Sequence, residues 1–232
     1  TYPASDINST ATDMACFMMA NLAGGALDGK RILSERAARE MQRTHFRNHP
    51  RVPGWAYGFY EGEQNNLRFV EHGGSMDDGY SALMTLVPEK NLGLFIACNT
   101  ETGGFGLAGA VKNALLNRYF PARAKSKTGE QTIKQSPAAL ERFAGTYRPY
   151  IYCHSCAADS GAYVPEPFEV KVNDDGMLSF QDERWRQIEP LLFQFATGER
   201  AGQALLAFRE SSDGKITYMF QDAYRTYEKV SH

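Results

Sequence analysis

The stretch from Glu71 to Thr100 constrains the fold of this chain more than any other. Tyr80 to Val87 and Leu92 to Cys98 are two apolar, β-rich runs. Pro88-Glu89-Lys90-Asn91 between them carries turn chemistry, which predicts an antiparallel hairpin. Just ahead, Leu67 to His72 predicts a third strand that ends on Gly73-Gly74. An ionisable ring beside two glycines at a strand edge marks a place where a substrate backbone can come close, because glycine removes the side chain that would block it.

Around this hairpin the periodicity is mixed. Residues 9–24 predict an amphipathic helix, with Thr10 and Asp13 spaced as a capping box and Met14, Phe17, Met18 and Leu22 at helical spacing. Asp28-Gly29 predicts a tight turn, and Ser34 caps a second helix through Arg43. Gly54 to Tyr60 alternates as a strand, and Gln64-Asn65-Asn66 turns the chain into the strand carrying His72. A helix near Phe105–Phe120 presents Leu107, Val111, Leu115 and Leu116 as one apolar face, expected to cover the sheet.

Pro121 to Pro137 is basic, polar and bounded by prolines, the composition of a linker. Beyond it come short strands: Gly145–Arg148, Phe168–Val172, Leu178–Phe180, Leu191–Phe195, Leu205–Arg209, Ile216–Phe220 and Tyr224–Lys229. Asp-Gly turns at Asp175-Gly176 and Asp213-Gly214 join some of them, as in a meander that closes into a small barrel. The expected fold class is α+β, an antiparallel sheet flanked by helices plus a small all-β barrel. The expected domains are 1–120, a linker at 121–136, and 137–232.

A net charge of −2 supplies no field for nucleic acid or an anionic membrane surface, so neither partner is expected. The longest apolar run, Leu92 to Cys98, is far too short to span a bilayer. The sequence opens Thr1-Tyr2-Pro3, as a processed product or a piece of a longer protein would. Cys16 and Cys98 sit in apolar patterns and are expected to be buried thiols. Cys153-His154-Ser155-Cys156 has no second Cys/His pair at metal-ligand spacing, so no metal is expected. That leaves free thiols or a short loop disulfide, the latter if the protein is exported.

His-Gly-Gly, a short loop ending Gly79-Tyr80-Ser81, a strand, Pro-Glu-Lys-Asn-Leu-Gly and an apolar strand running to Asn99 together resemble the serine β-lactamase and penicillin-binding-protein superfamily. The nearest branch is the class C-like esterases and D-amino-acid-specific peptidases. Ser-Thr-Ala-x-Asp-Met-Ala near the start extends the resemblance over about residues 3–120. The linker followed by Leu140-x-x-Phe143-Ala-Gly-Thr-Tyr147 resembles the lipocalin-like domain appended to such hydrolases. The resemblance implies acyl transfer to water through an acyl-enzyme, on a small ester, a D-amino-acid peptide or a β-lactam, without a cofactor. It places His72 across from the nucleophile, relaying a proton or stabilising charge. It places the Ser75 N–H in the oxyanion hole, with Gly73 and Gly74 letting substrate lie against the strand. A periplasmic or secreted location follows from the family, with the cytoplasm as the alternative.

The family's Tyr-x-Asn is absent from the sequence. Ser212-Asp213-Gly214-Lys215 spells Ser-x-x-Lys, but Asp-Gly makes it a hairpin turn and not the rigid helix start a nucleophile needs. Lys127-Thr128-Gly129 spells a third-motif variant inside the linker. The expectation is therefore a hydrolase portion that lacks its nucleophile. A non-catalytic binding module with a ligand-holding barrel is the rival. Asp77-Asp78 either biases the site toward cationic substrates or is a solvated turn.

Overall fold

The structure, a computed structural model, describes residues 7–76, 79–100, 104–122, 133, 136–157, 161–198, 201–202 and 204–231. The chain divides into two compact units, Thr1–Phe46 with Gly54–Lys125, and Arg47–Pro53 with Ser126–His232.

The first unit opens with helix α1 (Ala11–Leu22), where the Thr10 hydroxyl oxygen accepts the Asp13 N–H at 3.1 Å and donates to its carboxylate at 2.8 Å. A two-strand ribbon, β1 (Ala26–Leu27) and β2 (Lys30–Arg31), turns at Asp28 and Gly29, both at positive φ. Ser34 caps α2 (Glu35–Gln42) by accepting the Ala37 N–H. The main sheet then forms in chain order from β3 (Tyr60–Gln64), β4 (Leu67–Met76), β5 (Tyr80–Val87) and β6 (Leu92–Cys98), all antiparallel. Helix α3 (Gly104–Tyr119) follows.

Strand residues alternate between two faces. Leu67, Phe69 and Val87 pack with Leu116 of α3. On the opposite face Val70, Met84 and Leu86 pack with Met18 of α1 and with Ala56 and Phe59.

Four expectations for this unit are corrected. Gly54 to Tyr60 is not a strand: Gly58 sits at φ 73°, the Ala56 N–H bonds back to the Phe59 carbonyl, and Trp55 makes isolated bridges to Phe46 and Tyr60. β4 does not stop at the glycines but continues to Met76, because β5 pairs with it from Val70 to Met76. The buried stripe of α3 runs through Ala108, Lys112 and Leu116, while Leu107 and Val111 are exposed. Phe17 and Cys16 face solvent, since Met14, Ala15, Met18 and Leu22 form the α1 contact, and Cys98 is half-buried.

The second unit contains a short helix α4 (Pro137–Leu140) and a closed eight-stranded antiparallel barrel. Its strands are β7 (Gly145–Pro149), β8 (Phe168–Val172), β9 (Leu178–Phe180), β10 (Glu183–Glu189), β11 (Leu192–Phe195), β12 (Leu205–Glu210), β13 (Ile216–Phe220) and β14 (Thr226–Ser231). Each pairs with its sequence neighbour, and β14 closes on β7. β10 is the strand that the sequence reading omits, because its charged residues hide an alternation around fully buried Trp185.

The interior is filled by side chains. Leu140, Phe143, Tyr147, Trp185, Phe193 and Phe208 belong to one buried cluster, and the Tyr147 hydroxyl donates to the Phe143 carbonyl at 2.8 Å. Arg47–Pro53 adds a patch to this unit. Val52, 1% exposed, packs with Ile188, Leu192 and Ala207, while Arg51 bonds Glu189 at 2.5 Å. Cys153 and Cys156 form a disulfide. Among the described residues no group of three or more His, Cys, Asp or Glu is placed to hold a metal ion, and no helix is long and apolar enough to cross a membrane.

Candidate active site

β3 pairs with β4 over Leu67–Glu71 alone, ending at Tyr60↔Glu71, whereas β5 pairs with β4 from Val70 to Met76. From His72 onward, β4 has β5 on one side, and among the described residues no strand pairs with its other side, which is an edge. The turn through Gly58 creates that edge by carrying the chain away from the line of β3.

His72, Gly73, Gly74 and Ser75 lie in sequence along it. His72, Gly74 and Ser75 are exposed, and Gly73 is half-buried. Pairing partners share a face, so His72 sits with Met84 and Gly74 with Ala82 on one side of the sheet. Gly73 and Ser75 lie on the other side with Leu83 and Ser81. The Ser75 hydroxyl is 3.0 Å from that of Ser81, so the two side chains engage each other on the face opposite His72. Any role of Ser75 toward a ligand at His72 thus falls to its backbone. A Cβ at Gly74 would meet nothing within 4 Å. The space over the strand at that point is open.

Glu71, one residue before His72, is tied down on the α3 side. Lys112 donates to its carboxylate at 2.8 Å and the Thr85 hydroxyl donates to the same oxygen at 2.9 Å. The Lys112 ammonium also lies 4.3 Å from the centre of the Phe69 ring. A second polar cluster anchors the start of the sheet: buried Glu61 accepts from Arg68, from the Thr44 hydroxyl and from the Gly54 N–H. The Glu61 cluster ties β3 to β4, and the Glu71 cluster ties β4 to β5 and α3 just before the edge begins, which is the support a site built on a strand requires.

One aromatic ring approaches His72. The Tyr60 ring centre is 6.0 Å from that of His72, and Trp55 lies 5.9 Å from Tyr60 in an edge contact. The sequence reading misses Tyr60, Trp55 and Lys112. The aromatic richness of Trp55 to Tyr60 is visible in the sequence, but the approach of the Tyr60 ring to His72 is not. Asp77, Asp78 and Lys127-Thr128-Gly129 lie outside the described residues. Ser212 to Lys215 sits in the turn between β12 and β13, with Gly214 at φ 81°. Hydrogen bonds from Ser211 and Lys215 hold the Asp213 carboxyl down at about 2, so Lys215 is engaged there and not beside a nucleophile.

A helix-flanked antiparallel sheet carrying His-Gly-Gly on a half-open strand, followed by a closed barrel, defines a two-unit α+β protein with its candidate site in the first unit. The family profile described as Beta-lactamase matches residues 1–118, and the chain belongs to that family. No curated protein matches the chain. Among solved structures it is similar to SurE with D-Leu, at 20% identity and a TM-score of 0.55, covering 96% of this chain and 50% of that one. It is similar also to a second structure of SurE, at 20% identity and a TM-score of 0.50, covering 91% of this chain and 46% of that one. An octameric penicillin-binding protein homologue from Pyrococcus abyssi matches at 17% identity and a TM-score of 0.41, covering 95% and 47%. The chain thus spans about half the length of these structures.

Proposed function

We propose that this chain contributes the His-Gly-Gly wall of a serine hydrolase site, with the nucleophile supplied by polypeptide outside these 232 residues. The observation that carries this reading is the half-open edge of β4 from His72 to Met76, within the residues matched to the family. An extended acyl substrate can hydrogen-bond to an unpaired strand edge as an added strand does. His72 then faces the reacting group as a proton carrier, and the backbone N–H of Ser75 is an oxyanion donor. Losing one such donor typically costs about 2.7–4 kcal/mol of transition-state stabilisation. The substrate class is a small ester, a D-amino-acid peptide or a β-lactam. The D-Leu in the SurE structure belongs to that protein, and it motivates including D-residues among the substrates tried here.

The eight-stranded sequential closure supports a lipocalin-like reading of the barrel. Its filled interior argues against the rival of a ligand-holding barrel. The Cys153–Cys156 disulfide favours an oxidising, exported location.

These 232 residues alone should form no acyl-enzyme with a fluorophosphonate or a p-nitrophenyl ester. In a protein that joins them to a Ser-x-x-Lys helix, His72→Ala should lower kcat/KM by roughly 10²–10⁴. Unchanged kinetics in that variant would remove His72 from the mechanism. Stoichiometric labelling of a serine in the chain by itself would overturn the whole reading.

A further inference from the structure

The barrel wall carries an open groove of about 450 Å³, with Asp213, Lys215, Tyr218, Glu228, Lys229 and Val230 among its lining residues. Met219 and Tyr227 belong to the interior cluster, so their neighbours Tyr218 and Glu228, which pair across β13 and β14, point outward. Phe220 stacks on the Tyr218 ring at 6.1 Å and 24°, and Tyr150 meets its edge at 5.5 Å. Phe220 lies two residues farther along β13, whereas the groove is walled by residues 211–218 and 228–230, toward the start of β13 and the end of β14. The ring face turned away from Phe220 therefore borders the groove. Glu228 is fixed beside it. Arg148 and the Tyr152 hydroxyl both donate to its Oε1, at 2.5 and 2.6 Å, which leaves Oε2 as a spare acceptor. Lys229 donates to the Arg142 carbonyl at 3.0 Å and Lys215 pairs with Asp213 at 3.2 Å. An ammonium carries three donors, so both lysines keep some to give.

We propose that this groove binds a neutral saccharide, one ring of which lays its C–H face on Tyr218 while its hydroxyls bond Glu228 Oε2 and the two lysines. The lining selects that chemistry. Two carboxylates and two ammonium groups balance, so an anion or a cation meets as much repulsion as attraction there. An apolar ligand would strip water from those charges and return no hydrogen bonds. A neutral ligand that donates and accepts at closely spaced points, and that has an apolar face for one aromatic ring, suits both kinds of wall. A pyranose is such a ligand, and the groove has the volume of an ordinary small-molecule site. The site is independent of the reading of His72, and it gives the barrel a ligand on its outside although its interior is filled.

The test titrates the 232-residue chain with methyl α-D-glucopyranoside, methyl β-D-galactopyranoside and cellobiose, following the backbone amides of residues 211–218 and 228–230. Mannitol, glucuronate and glucosamine are the controls: hydroxyls without a ring face, and the ring with a charge of either sign. At least one neutral sugar should shift these amides saturably and bind roughly fivefold tighter, or more, than every control. Tyr218→Leu keeps bulk but removes the aromatic face, and it should weaken that sugar roughly three- to tenfold. Glu228→Gln should weaken it roughly tenfold through the lost charged acceptor. Because Glu228→Gln also breaks the pair with Arg148, Tyr218→Leu decides the matter should that variant fold poorly. Unchanged affinity in Tyr218→Leu, or mannitol binding as well as the sugars, removes the ring from recognition and overturns the proposal. Tighter binding of glucuronate or glucosamine overturns the assignment to a neutral ligand. No saturable shift with any sugar up to about 0.1 M overturns the site altogether.

Discussion

Glycines on the same sheet do different work. At Gly62 an added Cβ would fall 2.2 Å from the Phe69 ring, and Phe69 is itself held at 4% exposure. Gly62→Ala should therefore cost about 1–3 kcal/mol through overpacking. Gly74→Ala, with open space above it, should change folding stability by no more than about 0.5 kcal/mol. Urea titration of the two variants checks the contrast, and a well-folded Gly74→Ala protein would make any lost substrate binding attributable to the ligand. His49, in the Arg47–Pro53 segment, is pushed below the ordinary imidazole range by burial, with Glu189 opposing the shift and Arg51 adding to it. The folded state disfavours its proton, so its contribution to stability is whole above the unfolded value of about 6.5 and is lost as pH falls below it. His49→Gln should flatten the difference in the urea midpoint of the barrel between about pH 7.5 and about pH 5.5, read from Trp185 emission. An unchanged slope would mean that other groups carry it.

At the scale of elements, the contact of α3 with the sheet turns on one ion pair. The Lys112 and Glu71 side chains are 9% and 12% exposed, and both belong to surfaces that otherwise pack apolar residues. Removing one partner strands the other charge, so Lys112→Ala should cost about 3 kcal/mol. Replacing both, as in Glu71→Leu with Lys112→Met, should recover most of that loss, because well-packed apolar side chains match a buried pair in net stability. Guanidinium denaturation of the two variants tests this, and a Lys112→Ala cost below about 1 kcal/mol would class the pair with ordinary surface bridges. The pair also fixes which way β4 presents its side chains. With Glu71 drawn to α3, His72 must face the other side, since neighbours on a strand alternate.

At the scale of the molecule, the barrel is a meander whose contacts are mostly between sequence neighbours, with β14 on β7 as the long-range closure. Residues 137–232 alone should give a sheet spectrum and a cooperative melt, though a domain of this size has a modest stability reserve. Arg47–Pro53 adds to that reserve. Val52→Ala in the whole chain should lower barrel stability by about 1–2 kcal/mol, because the residue is 1% exposed against Ile188, Leu192 and Ala207. A coil spectrum for 137–232 would show that the barrel requires that segment to fold at all.

Local chemistry was legible in the sequence. The caps at Thr10 and Ser34, the hairpin of β5 and β6, and strands β8, β9 and β13 follow from side-chain period and from turn residues within a few positions of each other. The candidate strand was legible too, because His72, Gly73, Gly74 and Ser75 are contiguous. What the tertiary structure decided is everything that depends on distant residues meeting. Glu71 finds Lys112 from 41 positions away and Arg51 finds Glu189 from 138, and no local period encodes either pairing. The charged surface of β10 hid a strand whose register only its neighbours define. The turn at Gly58 redirects an apparent strand, and that single departure ends the β3–β4 pairing before His72 and leaves the Tyr60 ring near it. A sequence specifies its turns and faces through short-range sterics and periodicity, whereas a site forms where separate segments compete for the same space, and only packing settles that competition.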